Sequence, residues 1–186
     1  SAVVTAMNLH ERVGIWIMLS IFGLWGSTIF GLSIRLVGYV RMLTMGITFG
    51  LDAVSARLST SNDTNAFKAV VRHTTRLHAY VSIPAAITVF LMAEPLLRLW
   101  VGRFVDDPAL IAKSAILVKI MVIGLLSRAI SDGWMKLLYG AGHIHRYAPL
   151  ILAGGIANPI IAYLLIQLLP PSINWTGAAI AFGLVF

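Results

Sequence analysis

Residues 13–34 run for 22 positions without a charged side chain, and a helix of about 20 apolar residues crosses the ~30 Å hydrocarbon core of a bilayer. Four further stretches of similar length and apolarity follow it in the chain. Lipid offers no hydrogen-bond partner to a backbone N–H or C=O, so segments of this kind satisfy their polar groups internally, as helices. The repetition therefore predicts an all-α, polytopic transmembrane helix bundle and excludes a soluble enzyme core.

Composition supports the same solvent. Of the chain, 59% is hydrophobic and 11% charged, against about 25% charged in an ordinary soluble domain. Cysteine is absent, which removes disulfides, thiolate nucleophiles and cysteine metal sites. The net charge of +7 comes from 14 Lys and Arg against 7 Asp and Glu. These basic residues are scattered rather than clustered, which suits loops facing anionic lipid, at about 1 kcal/mol per residue near the surface. The expected partner is thus the lipid bilayer and not nucleic acid.

The pattern divides into helices at about 13–34, 36–56, 78–101, 109–138 and 148–169, with a sixth, 175–186, too short to span. With Ser1 at the start and Phe186 inside that last run, the chain reads as one bundle, 1–186, cut from a larger protein. A polar loop is expected over 57–77, opening with Ser59-Thr60-Ser61-Asn62-Asp63, and a short loop over 102–108. Gly140-Ala141-Gly142 provides a left-handed helix cap. Asn158-Pro159 predicts a kink, and Pro170-Pro171 a stop. Arg12, Arg57, Lys68, Arg72, Arg76, Arg128, Lys136 and Arg146 fall near one side, against Arg35, Arg98, Arg103 and Lys113 near the other. The positive-inside bias then places the N-terminus in the cytoplasm, with Trp100 and Trp175 in the outer aromatic belt.

Within the second helix Arg41, Thr44, Thr48, Asp52 and Ser55 are spaced by 3, 4, 4 and 3, which on one helix makes a continuous polar stripe. Arg and Asp at membrane depth cost roughly 2.5–3.5 kcal/mol each and belong in a bundle interior or a watery cavity. Two readings are open: a wall of a translocation pathway with Arg41 attracting an anion, or ion pairs to other helices. Gly46 and Gly50 lie on another face, suited to close helix approach, and Ser20, Gly23, Ser27 and Gly31 form a similar small-residue seam. Lys119 stands alone on an apolar face, either snorkelling outward or meeting a phosphate in a cavity. Arg128, Asp132 and Lys136, four apart, suit a solvated face, and Glu94 with Arg98 an i,i+4 pair. His73, His78, His143 and His145 make a poor metal site. No Walker-type loop, HExxH or GxSxG occurs, so no catalytic constellation is present.

The order of features resembles a known family. "GLSIRLVGYVRMLTMGITFGLDAVSARLSTSNDTNAF" (31–67) is a helix leaving into a polar loop with Asn-Asp; "IPAAITVFLMAEPLLRLWVG" (83–102) closes on Pro-Leu-Leu-x-Leu-Trp-x-Gly. "LLYGAGHIHRY" (137–147) and "NWTGAAIAFG" (174–183) follow in order. Together these resemble the C-terminal, second six-helix half of the polysaccharide (O-antigen-type) flippases. That family belongs to the superfamily that also holds multidrug and toxin extruders. One departure is Asp52-Ala53-Val54, where family members often have proline. The resemblance implies five spans and a sixth in one lobe of a two-lobe transporter, the missing N-terminal half being a partner. It implies alternating access in the bacterial inner membrane and a cationic lumen for an undecaprenyl-pyrophosphate sugar. Arg41 is then the first candidate for the head group, with Lys119 and Arg35 behind it, and Thr44 and Thr48 donating to sugar or phosphate oxygens. No cofactor is implied beyond a coupling proton or sodium ion.

The rival within the superfamily is a cation-coupled multidrug extruder, for which Asp52 is the carboxylate. An integral membrane transferase would need an acid/base pair at a membrane face, and Asp106-Asp107 on a short turn is the one acidic pair. A non-transporting scaffold has little use for Arg and Asp on helix 36–56.

Overall fold

The computed structural model describes residues 2–61 and 64–185. Asn62 and Asp63, assigned above to the polar loop, lie outside the described residues, as does Phe186. The protein is all-helical: α1 (Ala2–Met45), α2 (Leu51–Thr60), α3 (Thr64–Val101), α4 (Pro108–Gly140), α5 (Ile144–Leu168) and α6 (Gly177–Leu184), with short 3-10 turns at Gly46–Thr48 and Asn174–Thr176.

α1 is not one rod. Gly23 has φ 66° and ψ −156°, a region open in practice only to glycine. A Cβ placed on Gly14 would lie 2.6 Å from Phe30 Cε1, and one on Gly26 would lie 2.6 Å from the Met18 carbonyl oxygen. On a straight helix residues 14 and 30 would be about 24 Å apart. The chain therefore doubles back at Gly23, giving antiparallel arms 2–22 and 24–45 pressed together through their glycines. The boundary expected at Arg35 is absent, because residues 24–45 contain nothing that ends a helix. The apolar run 13–34 is thus shared between two arms. The Ser20–Gly31 seam does not form, since Gly23 turns the chain between its halves.

The second arm ends where Gly46 opens a 3-10 turn and Gly50 takes φ 78° as the cap of α2. Neither glycine has a heavy atom within 4 Å of where a Cβ would sit. They break the helix rather than admit a neighbour. A helix expected to run unbroken over 36–56 is consequently two, and the polar stripe does not lie on one face.

α3 begins at Thr64, well before the expected residue 78. Lys68, Arg72 and Arg76, four apart, suit one face of a helix as well as a loop, so the long loop 57–77 shrinks to a few residues. The bend in α3 lies at Met92 (φ −105°, ψ 16°), where Pro95 supplies no N–H to the preceding turn and its ring crowds it. α4 starts at Pro108 in the first turn, with the Asp107 side chain accepting from Ala109 N at 2.9 Å, the usual N-terminal chemistry. Beyond its last residue, Gly140, Gly142 takes φ 76° and the His143 N–H donates to the Leu138 carbonyl at 2.9 Å. α5 is continuous through Asn158-Pro159, so the kink expected there is not a break. Leu169 is extended before Pro170, as a residue preceding proline prefers.

Among the described residues four helices are long and apolar enough to cross a membrane, the run containing α1 counting as one. The reversal at Gly23 gives α1 two arms of about 20 residues, each the length of a span. α4 is the central element, packing on α1, α2, α3 and α6. Leu117, Val118, Met121, Val122 and Leu125 form its enclosed face. Small residues bring helices together where lipid supplies no hydrophobic drive. α6 shows this most directly: Ala178, Ala179 and Ala181 are buried, and a Cβ on Gly124 of α4 would lie 2.9 Å from the Gly183 carbonyl oxygen. The chain is a multi-pass membrane protein.

Candidate functional site

The enclosed charged groups of the bundle meet where the second arm of α1 packs on α4. Arg41 Nε lies 3.5 Å from Asp132 Oδ2, with side chains 18% and 14% exposed. Arg128 Nε lies 3.9 Å from Asp132 Oδ1, and the Arg128 side chain is 2% exposed. One carboxylate is therefore shared by two guanidinium groups from different helices. At an effective dielectric of about 20, unit charges 4 Å apart attract by about 4 kcal/mol. Removing each ion from water costs several kcal/mol, so the cluster persists because both terms are met together.

Next to it, His78 of α3 places Nδ1 2.6 Å from the Ala129 carbonyl oxygen of α4, and Trp134 Nε1 donates to Thr75 Oγ1 at 2.9 Å. At the end of α4, Ser55 of α2 donates to the Leu137 carbonyl at 2.5 Å. At the opposite end of the bundle Lys113 Nζ sits 4.7 Å from the Trp25 ring centre and 5.8 Å from that of Trp175. Trp175 is buried against Trp25, so it is a packing residue clamped by a cation rather than a member of an aromatic belt.

Each expected site residue has a definite place. Arg41 is the inter-helix pair of the second reading, held by Asp132. Thr44 and Thr48 are buried, and their hydroxyls donate to Arg41 O and Met45 O of their own chain turn, at 2.8 and 2.7 Å. They present no free donor to a cargo. Asp52 is half-buried in the first turn of α2, where a carboxylate suits the positive end of the helix. Lys119 is half-buried with Nζ 5.9 Å from the Phe90 ring centre. Arg35 is exposed and makes no ion pair among the described residues. The structure thus brings Arg41 together with Arg128 and Asp132, and leaves Arg35 apart.

Arg128 and Asp132 were expected on a solvated face. Arg128 lies 12 residues before Gly140, about 18 Å along the helix, too deep for water at the helix end. That depth was the available signal. His78 was placed at a helix start, whereas α3 carries it 14 residues inside. Glu94 and Arg98 form the expected i,i+4 pair at 2.7 Å. Arg98 also lines a surface cleft of about 430 Å³ together with Arg103 and Asp106.

No curated protein and no solved structure matches the chain. A family model, MatE, matches residues 6–164. That span takes in α1 through most of α5, including every residue of the buried cluster. The chain belongs to the MatE family, membrane exporters of the multidrug, oligosaccharidyl-lipid and polysaccharide superfamily, which are transporters and not enzymes.

Proposed function

We propose that this bundle is one lobe of a two-lobe exporter that moves a lipid-linked oligosaccharide, an undecaprenyl-pyrophosphate sugar, across the bacterial inner membrane by alternating access. The observation that carries the reading is Arg35. It stands exposed 12 residues past Gly23, about 18 Å along the arm, at the depth where a cation facing lipid costs roughly 2.5–3.5 kcal/mol. Facing a watery pathway removes that cost. Thr28 and Tyr39 are exposed on the same arm, at helical spacing from Arg35, whereas Leu150, Ile156, Ile160 and Leu164 make the exposed face of α5 apolar. The open face of 24–45 therefore borders the pathway and the second lobe, and α5 faces lipid.

In this reading Arg35 meets the pyrophosphate, whose planar charge-assisted bonds suit guanidinium, and Tyr39 offers a hydroxyl to the sugar. Lys119 is a secondary cation. Arg41 holds the lobe together through Asp132, and the basic residues near the ends of α2, α3 and α4 support a cytoplasmic N-terminus. A multidrug extruder would need a carboxylate open to cationic cargo. Asp132 is occupied by two arginines and Asp52 serves the start of α2, so the anionic cargo is favoured.

The test is flipping by the full-length protein in liposomes with a fluorescent undecaprenyl-pyrophosphate sugar. Losing a hydrogen bond to a charged group worth about 1.5–3 kcal/mol, Arg35→Ala is expected to slow flipping roughly ten- to a hundredfold, and Arg35→Lys less. Flipping at the wild-type rate by Arg35→Ala contradicts the role of Arg35. A wild type that exports cationic dyes and leaves the lipid-linked sugar in place contradicts the cargo.

A further inference from the structure

α3 and α4 both have the length and apolarity of membrane spans, so the residues joining them, 102–107, lie where the bilayer meets water. The turn is fixed by hydrogen bonds. Gly102 N–H donates to the Arg98 carbonyl at 2.9 Å, and the N–H groups of Phe104 and Val105 donate to that of Val101 at 2.9 and 3.0 Å. This turn walls the surface cleft of about 430 Å³, whose lining carries three charged side chains, Arg98, Arg103 and Asp106, beside buried Ile111 of α4.

The neighbouring charges at this end of the bundle are already matched. Glu94 accepts from Arg98 Nε and Nη2 at 3.1 and 2.7 Å. Asp107 accepts from Ala109 N–H, and Lys113 lies against Trp25 and Trp175. Arg103 and Asp106 are different. They stand three residues apart, exposed and on one cleft, yet make no ion pair with each other or with any other described residue. Arg98 Nη1, pointing away from its bonded nitrogens, also has no hydrogen-bond partner among the described residues.

An unpaired cation and an unpaired anion held apart on one cleft match a ligand that carries both signs a short distance apart. Guanidinium groups bind phosphate oxygens through charge-assisted pairs, and a carboxylate accepts from a primary ammonium. A purely anionic ligand would meet Asp106 and lose part of what Arg103 supplies. Leu99 in the lining and Phe104 next to Arg103 are 84% and 85% exposed. At the bilayer boundary such side chains are covered by acyl chains, which joins the polar cleft to an apolar flank.

We propose that this cleft binds the headgroup of a zwitterionic phospholipid, phosphatidylethanolamine, with its phosphate on Arg103 and Arg98 Nη1 and its ammonium on Asp106. A phosphatidylcholine headgroup has no N–H to donate to Asp106, and phosphatidylglycerol has no cation to offer it. The site fastens bilayer lipid to the α3–α4 turn. It uses neither the buried cluster nor a transported cargo, so it stands apart from the export reading.

Delipidated full-length protein in detergent is titrated with phosphatidylethanolamine, phosphatidylcholine, phosphatidylglycerol and the chain-free headgroup glycerophosphoethanolamine, and bound molecules are counted by native mass spectrometry. Phosphatidylethanolamine is expected to bind the wild type roughly three- to tenfold more tightly than the other two lipids, the size of one added charge-assisted bond at a partly solvated site. Arg103→Gln is expected to weaken all three lipids, because each has a phosphate. Asp106→Asn is expected to weaken phosphatidylethanolamine alone and to strengthen phosphatidylglycerol. Arg146→Gln, an equal charge change at an exposed residue on α5, is expected to leave the order intact. Equal binding of the three lipids by wild type, or a preference that survives both Arg103→Gln and Asp106→Asn, overturns the proposal. Tightest binding of phosphatidylglycerol makes the occupant an anionic lipid and overturns it as well. So does glycerophosphoethanolamine binding as tightly as the lipid, since the ligand is then a free headgroup.

Discussion

Asp132→Ala is expected to be the most destabilising single change in the bundle. The carboxylate lies 3.5 Å from Arg41 and 3.9 Å from Arg128, on α1 and α4 respectively. Removing one member of a buried ion cluster typically costs about 3–5 kcal/mol, because the charges left behind keep their desolvation and lose their attraction. Here the loss is compounded, since the two guanidinium groups then repel. The small exposure of Arg41 and Asp132 lets some water relax the result, which places the effect near the low end, about 3 kcal/mol. Thermal unfolding of purified full-length protein in detergent checks this, with Asp132→Ala expected well below wild type. Triple replacement of Arg41, Arg128 and Asp132 by apolar residues of similar size is expected to recover much of the loss, as buried ion clusters exchanged for packing are often neutral. A wild-type melting temperature in Asp132→Ala would mean that the cluster is solvated.

Gly124→Leu is expected to displace α6 from the bundle. The Cβ alone would lie 2.9 Å from the Gly183 carbonyl oxygen and 3.1 Å from its carbon, and those are backbone atoms that cannot rotate aside. Overpacking of this kind costs typically 1–3 kcal/mol and more where the neighbour is rigid. In lipid the close approach of the two helices is itself the attractive term. A crosslink between α4 and α6, formed readily in the wild-type background, is expected to be lost in Gly124→Leu and retained in Ile123→Leu, whose side chain is exposed. Undiminished crosslinking in Gly124→Leu would show that the two glycines are not in contact.

The class of fold was legible because the length of an apolar run reports the thickness of the bilayer whatever the packing. Where the runs divide was less so. Residues 13–34 are equally apolar whether they form one span or parts of two, and Gly23 looks the same as a packing glycine until its φ is known. Arg35 resembled a helix end because charge is usual there; its position in mid-arm follows only once the reversal is placed at Gly23. Gly46 and Gly50 were visible, but four-residue spacing suggested packing rather than a break, and with the break the stripe from Arg41 to Ser55 dissolved. The pairing of Arg41 was anticipated as one of two readings, while its partner was not. Arg128 and Asp132 have the i,i+4 spacing of any solvated pair, and it is depth along α4 that separates the two cases. His78 was hidden because the basic residues before it read as loop when they are one face of α3.

The central claim is that the open face of 24–45 borders water and not lipid. Single cysteines introduced into this cysteine-free chain, carried in the full-length protein, at Thr28, Arg35, Tyr39, Ile156 and Ile160 measure it directly through their rates of reaction with a membrane-impermeant maleimide. The account predicts rapid labelling at positions 28, 35 and 39 and protection at 156 and 160. Protection at 28, 35 and 39 equal to that at 156 and 160 would place the arm against lipid or packed protein and contradict it.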